Sequence, residues 1–161
     1  MRTPGAFICS NPPSHKPPMP RIKLALPDAF PFETEIPVRI SDINYGGHLG
    51  NDALLSIIHE ARIRFLHAHG YKELDIEGRG IIMADAVVVY AAEAFHGDVL
   101  RAGVAVRDIE QLGCDIVYRL VRVGDGREVA RAKTGIVFFD YVSRKPVPVP
   151  DGFRTRFSQP G

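Results

Sequence analysis

Hydrophobic residues between positions 51 and 69 recur at the spacing of an α-helix. Leu54, Ile58, Ala61 and Phe65 follow one another at intervals of three and four, so they lie on one face of a helix. Asn51 is a residue type that often caps a helix at its N-terminus, and Gly70 is suited to end one. The pattern therefore predicts an amphipathic helix over 51–69 with Asn51 as its N-cap.

The remaining hydrophobic segments have the composition of β-strands. Runs rich in Val, Ile, Phe and Tyr predict one strand before the helix, at 35–40, and four after it, at 81–95, 99–109, 114–123 and 129–141. Short segments containing glycine separate the last four strands, which indicates hairpins and an antiparallel meander. The predicted fold class is α+β, with one long helix packed on a five-stranded antiparallel sheet.

The chain of 161 residues fits one domain with terminal extensions. Residues 1–32 contain eight of the 13 prolines, which favours an N-terminal extension that contacts the surface around 22–26. We place the domain at 33–155 and a C-terminal tail at 156–161. The net charge of +1 gives no electrostatic indication of nucleic acid or an anionic membrane as a partner.

The two cysteines, Cys9 and Cys114, are too few for a disulfide framework or a four-cysteine zinc site. No apolar run approaches the roughly 20 residues that a membrane-spanning helix needs. The N-terminus does not have the continuous apolar stretch of a secretion signal. These observations predict a cytoplasmic protein that binds no metal.

Polar residues and glycines are concentrated between the first strand and the helix, at 41–51 (SDINYGGHLGN). The free N–H groups at a helix N-terminus can stabilise an oxyanion, and glycines such as Gly46 and Gly47 let a ligand approach the backbone. The same composition also fits a polar loop without a function. From the residues alone, both interpretations stay open.

The order of motifs resembles that of hotdog-fold acyl-CoA thioesterases, and within them the 4-hydroxybenzoyl-CoA thioesterase-like group. The pattern D-x-N-x-x-G-H-x-x-N begins at Asp42 and is followed by a helix ending E-A-R-x-x-F-L. Tyr90-Ala91-Ala92-Glu93-Ala94, with G-D-x-L after it, is similar to the group's Y-x-x-P-A…G-D-x-L hairpin. The resemblance covers roughly residues 36–153.

This resemblance implies a long helix wrapped by the sheet, and homodimers that can pair again into homotetramers. It also implies hydrolysis of an acyl-CoA (or acyl-carrier) thioester by water, at a site in the dimer interface, without a cofactor. At one position this sequence departs from the motif of the group in a way that affects the mechanism. The second acid of the group's D-x-D motif falls on Asn44, and an asparagine cannot act as a general base.

Another residue must then accept the proton, with Asn44 placing the water. An imidazole has an ordinary pKa of about 6.5, which makes His48 a candidate base, and other hotdog lineages use a helix carboxylate, which makes Glu60 another. Asp42 completes the candidate catalytic set. The candidate substrate-binding residues are Gly46, Gly47, Asn51, Ile82 and Met83.

Two other functions fit the resemblance. Hotdog-fold enoyl-CoA hydratases carry G-D-x-N-P-x-H, but here His48 lies one residue too far along and the proline is missing. Alternatively, the loss of the carboxylate at Asn44 leaves a protein that binds acyl-CoA without hydrolysing it. Thiol release, hydration and binding assays distinguish the three functions.

Overall fold

The structure, a computed structural model, describes residues 22–158. Most of the predicted N-terminal extension, including Cys9, and the last three residues of the predicted tail lie outside the described residues. The elements, in chain order, are β1 (Phe32–Pro37), a 3-10 turn (Ile40–Asp42), α1 (Asn51–Ala68), β2 (Gly80–Tyr90), β3 (Val99–Arg107), β4 (Gly113–Arg122), β5 (Glu128–Asp140), β6 (Lys145–Pro146) and α2 (Asp151–Phe157).

All strands pair antiparallel in one sheet, in the order β1-β3-β4-β5-β2, with the two-residue β6 added to β5. One face of the sheet packs on α1, and the apolar residues predicted for the helix face, Leu54, Ile58, Ala61 and Phe65, are all buried there. The predicted α+β hotdog architecture of one long helix on five strands is confirmed. The strands β1 and β2 form the two edges of the sheet.

The first strand ends earlier than the predicted 35–40. Its ladder with β3 stops at Pro37, and residues 40–42 form a 3-10 turn. The carboxylate of Asp42 accepts a hydrogen bond of 2.7 Å from the backbone N–H of Arg39, which closes this turn. As a result, Asp42 and Asn44 are not alternate residues of one strand.

The predicted strand 81–95 also ends early, at Tyr90. The next two amides, of Ala91 and Ala92, both donate to the carbonyl of Val129, at 2.9 and 3.1 Å. Two donors on one carbonyl turn the chain out of the ladder. Residues 91–94 are therefore available to form a loop at the end of the sheet.

The helix α2 was not predicted, and it ends at Phe157, inside the predicted tail. Phe153 is 1% exposed and its ring lies 5.1 Å from the ring of Phe138. The ring of Phe157 lies 5.4 Å from that of Phe65 on α1. The two phenylalanines, four residues apart, thus attach this short helix to the core.

The residues just before β1 lie on the sheet face opposite α1. Phe30 packs against Gly103 and under the guanidinium of Arg119, at 5.0 Å from the ring centre. Within the predicted contact segment 22–26, the carbonyl of Leu24 accepts a long bond of 3.5 Å from Arg131. None of the helices between residues 22 and 158 is long and apolar enough to cross a membrane.

A buried cation fixes the loop that follows α1. Arg62 is 7% exposed, and its Nε donates to Glu73 at 2.7 Å, while His59 Nε2 lies 3.0 Å from the other oxygen of the same carboxylate. Burial raises the pKa of Glu73, but the hydrogen bonds with His59 and Arg62 outweigh it and hold the pKa below its ordinary value.

A carboxyl group with a lowered pKa stabilises the fold above the pKa that it has in the unfolded chain, and this contribution is lost as the pH falls. We therefore expect the free energy of unfolding to decrease below about pH 4.3, partly through Glu73. In the variant Glu73→Gln this part of the decrease should be absent. Urea denaturation at pH 7 and pH 3.5 measures it, and an equal loss in both proteins would contradict the assignment.

Candidate active site

A cavity of about 290 Å³ lies where the N-terminus of α1 meets the end of β2. It is built from three segments: the loop and first turn of α1, the residues after β2, and the start of β5. The residues that line it are His48, Leu49, Gly50, Asn51, Leu54, Tyr90, Ala91, Ala92, Glu93, Ala94 and Val129.

The loop before α1 is a small closed hairpin. A single β-bridge joins Ile43 to Leu49, and the amide of Asn44 donates to the carbonyl of His48 at 2.9 Å. The side-chain oxygen of Asn44 accepts a bond of 2.9 Å from the amide of Gly46. Gly47 has φ +82°, a conformation that glycine adopts without strain. This local chemistry fixes the loop without a bound ligand.

Gly50, and not the predicted Asn51, is the N-cap of α1. A Cβ atom at position 50 would lie 2.7 Å from Oδ1 of Asp52, so a larger residue there would require the Asp52 side chain to move. The amide of Gly50 donates to the carbonyl of Asp42 at 2.9 Å. By the geometry of an α-helix, the amides of residues 51–53 have no carbonyl partner within the helix and are donors at its N-terminus.

The imidazole of His48 lines this cavity beside the carboxylate of Glu93. Nε2 of His48 lies 3.9 Å from Oε1 of Glu93, and the two side chains are 35% and 65% exposed. Nδ1 lies 3.3 Å from the carbonyl of Leu49, an acceptor. In the tautomer in which Nδ1 carries the proton, Nε2 therefore holds the lone pair that a general base needs.

Two hydrogen bonds fix the segment 91–94 relative to His48. The amide of Leu49 donates to the carbonyl of Ala94 at 2.8 Å, which joins the loop before α1 to this segment. Arg122 donates to the carbonyl of Glu93 at 3.0 Å and also pairs with Asp125 at 2.7 Å. The backbone of Glu93 is thus anchored on both sides, and its carboxylate lies 3.9 Å from His48.

Other residues that line the cavity are apolar. Leu54 and Val129 are 1% and 3% exposed and belong to the core. The hydroxyl of Tyr90 lies 3.4 Å from the carbonyl of Asn51 and closes one side. An apolar wall next to an imidazole and free amides suits a ligand with a polar carbonyl and a hydrocarbon group.

The structure brings some of the predicted site residues to this cavity and leaves others away from it. His48 and Asn51 line it, whereas Asn44, Gly46 and Gly47 belong to the loop before α1 but are not among the lining residues. A methyl group added to Gly46 would lie 3.0 Å from Nε2 of His48 and 3.3 Å from Oδ1 of Asn44, so these two polar atoms flank one point.

The other four predicted residues lie outside both the cavity and this loop. The carboxylate of Asp42 is bonded within the 3-10 turn. Glu60 lies on an exposed face of α1, where Arg64 donates to it at 2.7 Å. Ile82 and Met83 are near the far end of β2, and Met83 is 53% exposed.

Sequence reasoning did not select Glu93 or Tyr90 as site residues, although both line the cavity. Cys114 is buried, and burial raises the pKa of its thiol to about 12, so at neutral pH it is protonated and cannot act as a thiolate nucleophile. Within residues 22–158, no three His, Cys, Asp or Glu side chains are arranged to hold a metal ion.

Comparison with known proteins gives a family match. Residues 38–157 match the model of the thioesterase-like superfamily. No curated protein has a significant match to the chain.

Solved structures share the fold at low sequence identity. The chain is similar to a 1,4-dihydroxy-2-naphthoyl-CoA thioesterase from Synechocystis, with 22% identity, a TM-score of 0.71, and coverage of 79% of this chain and 95% of that one. A thioesterase from Thermus thermophilus, complexed with coenzyme A and Zn, is 22% identical with a TM-score of 0.69 over 81% and 100% of the two chains. A thioesterase superfamily protein from Jannaschia sp. CCS1 is 19% identical with a TM-score of 0.73 over 81% and 83%.

Proposed function

Because the chain belongs to the thioesterase-like superfamily, we propose that it hydrolyses an acyl-CoA (or acyl-carrier) thioester to the free acid and the thiol. The observation that carries this proposal is the cavity at the N-terminus of α1. It combines an imidazole, the amides at the start of a helix and an apolar wall. Those groups correspond to a base, donors for an oxyanion and a surface for an acyl group.

In the proposed reaction, Nε2 of His48 accepts a proton from water as the water oxygen attacks the thioester carbonyl carbon. The negative charge that develops on the carbonyl oxygen is stabilised by amides of the loop and the first turn of α1. The C–S bond then breaks, and the departing sulfur takes the proton from His48. Asn44, whose amide group can still donate, places the water; Gly46 and Gly47 let the thioester approach the backbone.

His48 is favoured over Glu60 as the base because only His48 lines the cavity of its own chain. Coenzyme A bound to the relative from Thermus thermophilus supports a CoA thioester as the substrate class. The cytoplasmic location and the pairing of dimers into tetramers stay predictions.

We also propose that two copies pair through β2. This strand of 11 residues forms an edge of the sheet, and its outer edge has no partner within the described chain. Residues 83–86 in its middle are exposed. Long apolar edge strands are templates for pairing with another chain. The charge of Asp85, which lies among them, is partly neutralised by Lys133, 3.3 Å away.

If the two β2 strands pair antiparallel about a two-fold axis near the middle of the strand, opposite ends of β2 from the two copies become neighbours. The Gly80 end of one copy would approach the Tyr90 end of the other. In such a dimer, Ile82 and Met83 would lie near the other copy's cavity, which agrees with their predicted role in substrate binding. A site completed by a second copy also agrees with the open, partly exposed cavity of the single chain.

We expect Ala86→Lys to weaken the dimer at least tenfold and to lower activity with it. Ala86 is exposed in the single chain, so a lysine fits there, but pairing would bury its charge at an interface. Ala29→Lys, an equal change at another exposed alanine, should alter neither property. Sedimentation equilibrium measures the association. A dimer of unchanged affinity in Ala86→Lys would contradict pairing through β2.

Free-thiol release from short-chain, long-chain and aromatic acyl-CoAs tests the hydrolase itself. The variants Asn44→Ala, His48→Ala and Glu60→Ala are compared with the wild type on the best substrate. The proposal expects turnover by the wild type, a large loss in His48→Ala and a small effect of Glu60→Ala. Binding of acyl-CoA without thiol release, or hydration of an enoyl-CoA, would overturn it.

A further inference from the structure

We infer that Glu93 is the carboxylate that works with His48, as a positioning residue that acts through the imidazole by stabilising the imidazolium formed during hydrolysis. The inference rests on the proposed function and specifies how its base operates. It assigns a role to a cavity-lining acid that neither the helix pattern nor the loop motif identified.

The geometry between the two side chains carries this inference. Nε2 of His48 and Oε1 of Glu93 are 3.9 Å apart, and both residues line the same cavity, from two segments that the bond between Leu49 and Ala94 joins. This distance is too long for a direct hydrogen bond, but it is within the range of an ion pair. The attraction therefore becomes large only when the imidazole is protonated.

Because the attraction depends on a protonated imidazole, it lowers the barrier to hydrolysis. A group that attracts a charge present in the transition state, but absent from the neutral ground state, lowers the barrier and not merely the energy of the bound substrate. Hydrolysis of a thioester by water creates such a charge on His48. The backbone of Glu93, bonded by Arg122 and joined to Leu49 through Ala94, anchors the point from which this exposed side chain reaches His48.

The other nearby acids are placed differently. The carboxylate of Asp42 is bonded to the amide of Arg39. Glu60 is paired with Arg64 on α1. Asp52, in the first turn of α1, approaches Gly50. Within residues 22–158, Glu93 is the acid that forms a close pair with the imidazole of His48.

The proton balance is complete without another reactant. An O–H bond of water breaks, its proton binds Nε2 of His48, and the water oxygen bonds to the carbonyl carbon. When the C–S bond breaks, the same proton passes to sulfur. Glu93 exchanges no proton in this sequence of steps.

The variant Glu93→Gln keeps the shape of the side chain and removes its charge. We expect kcat for the best acyl-CoA to fall about threefold to fivefold, the range of an exposed ion pair, while KM changes by less than about twofold. Glu93→Asp, which keeps the charge at a greater distance, should recover part of the loss. Glu33→Gln, an equal change at an exposed glutamate of β1, should stay within about twofold of the wild type.

A double-variant cycle separates this role from a structural one. Because Glu93 acts through His48, Glu93→Gln should cause no additional loss in a His48→Ala background. Equal factors in both backgrounds would overturn the inference, as would a Glu93→Gln variant with wild-type kcat. Melting temperatures show whether each variant is folded. If the wild type releases no thiol, the proposed hydrolysis fails together with the inference; if only Glu93→Gln has no effect, the hydrolysis stands.

Discussion

Replacing His48 with alanine is expected to lower kcat for thioester hydrolysis by about 10²–10⁴-fold, the usual contribution of a general base. The imidazole lines the cavity at the start of α1, and its Nε2 is the atom placed to accept a proton. KM should change little, because the loss concerns the reacting water and not the acyl group or the carrier. Steady-state thiol release over a range of acyl-CoA concentrations measures both constants.

His67→Ala is the matched control for this variant. His67 is an exposed histidine in the last turn of α1, and its removal should leave kcat within about twofold. Because the side chain of His48 is 35% exposed, free imidazole in the buffer can reach the space left in His48→Ala and should restore part of the activity. A His48→Ala variant with wild-type kcat, together with loss of activity in Glu60→Ala, would assign the base to the helix carboxylate.

The helix and the strands were predictable because each shows its own period in the sequence. The apolar face of α1, from Leu54 to Phe65, follows helical spacing over three turns. In the structure this face is buried against the sheet. The ends of elements were less predictable. Gly50 and not Asn51 is the N-cap, because Asn51 already belongs to the first turn of α1, a shift of one residue that the capping preference of Asn could not show.

Of the segments that form the cavity, only the loop before α1 could be predicted from the sequence. The loop with Asn44 and His48 is one continuous segment, so its chemistry is visible in one motif. Glu93 is 45 positions further along the chain, and the contact depends on a turn after β2 and a bond between Leu49 and Ala94. In addition, Glu93 occupies the position of proline in the hairpin motif that the sequence resembles, so the motif gave no reason to expect a carboxylate there.

The short helix α2 could not be predicted from periodicity, since its seven residues make only two turns. Isolated helices of that length are unstable, and tertiary contacts must supply their stability. Here two aromatic side chains, Phe153 and Phe157, supply them. The sequence does not show which residues these two rings pack against, so it does not predict the helix.

We expect Phe65→Ala to lower the free energy of unfolding by about 3–5 kcal/mol, the usual cost of removing a large buried aromatic side chain. Phe65 is fully buried, and its ring packs against Phe32 of β1 at 5.7 Å and Phe157 of α2 at 5.4 Å. Its removal therefore loosens three elements at once and leaves a cavity between them.

Urea denaturation followed by circular dichroism measures the loss as a shift of the midpoint at constant slope. Phe95→Ala is the matched control, because Phe95 is 45% exposed and its removal should cost less than about 1 kcal/mol. Phe157→Ala should be intermediate, since its ring is only partly buried on Phe65. A domain with a total stability of about 5–15 kcal/mol would lose a large share of it in Phe65→Ala. A cost equal to that of Phe95→Ala would contradict the packing of β1 and α2 on this side of α1.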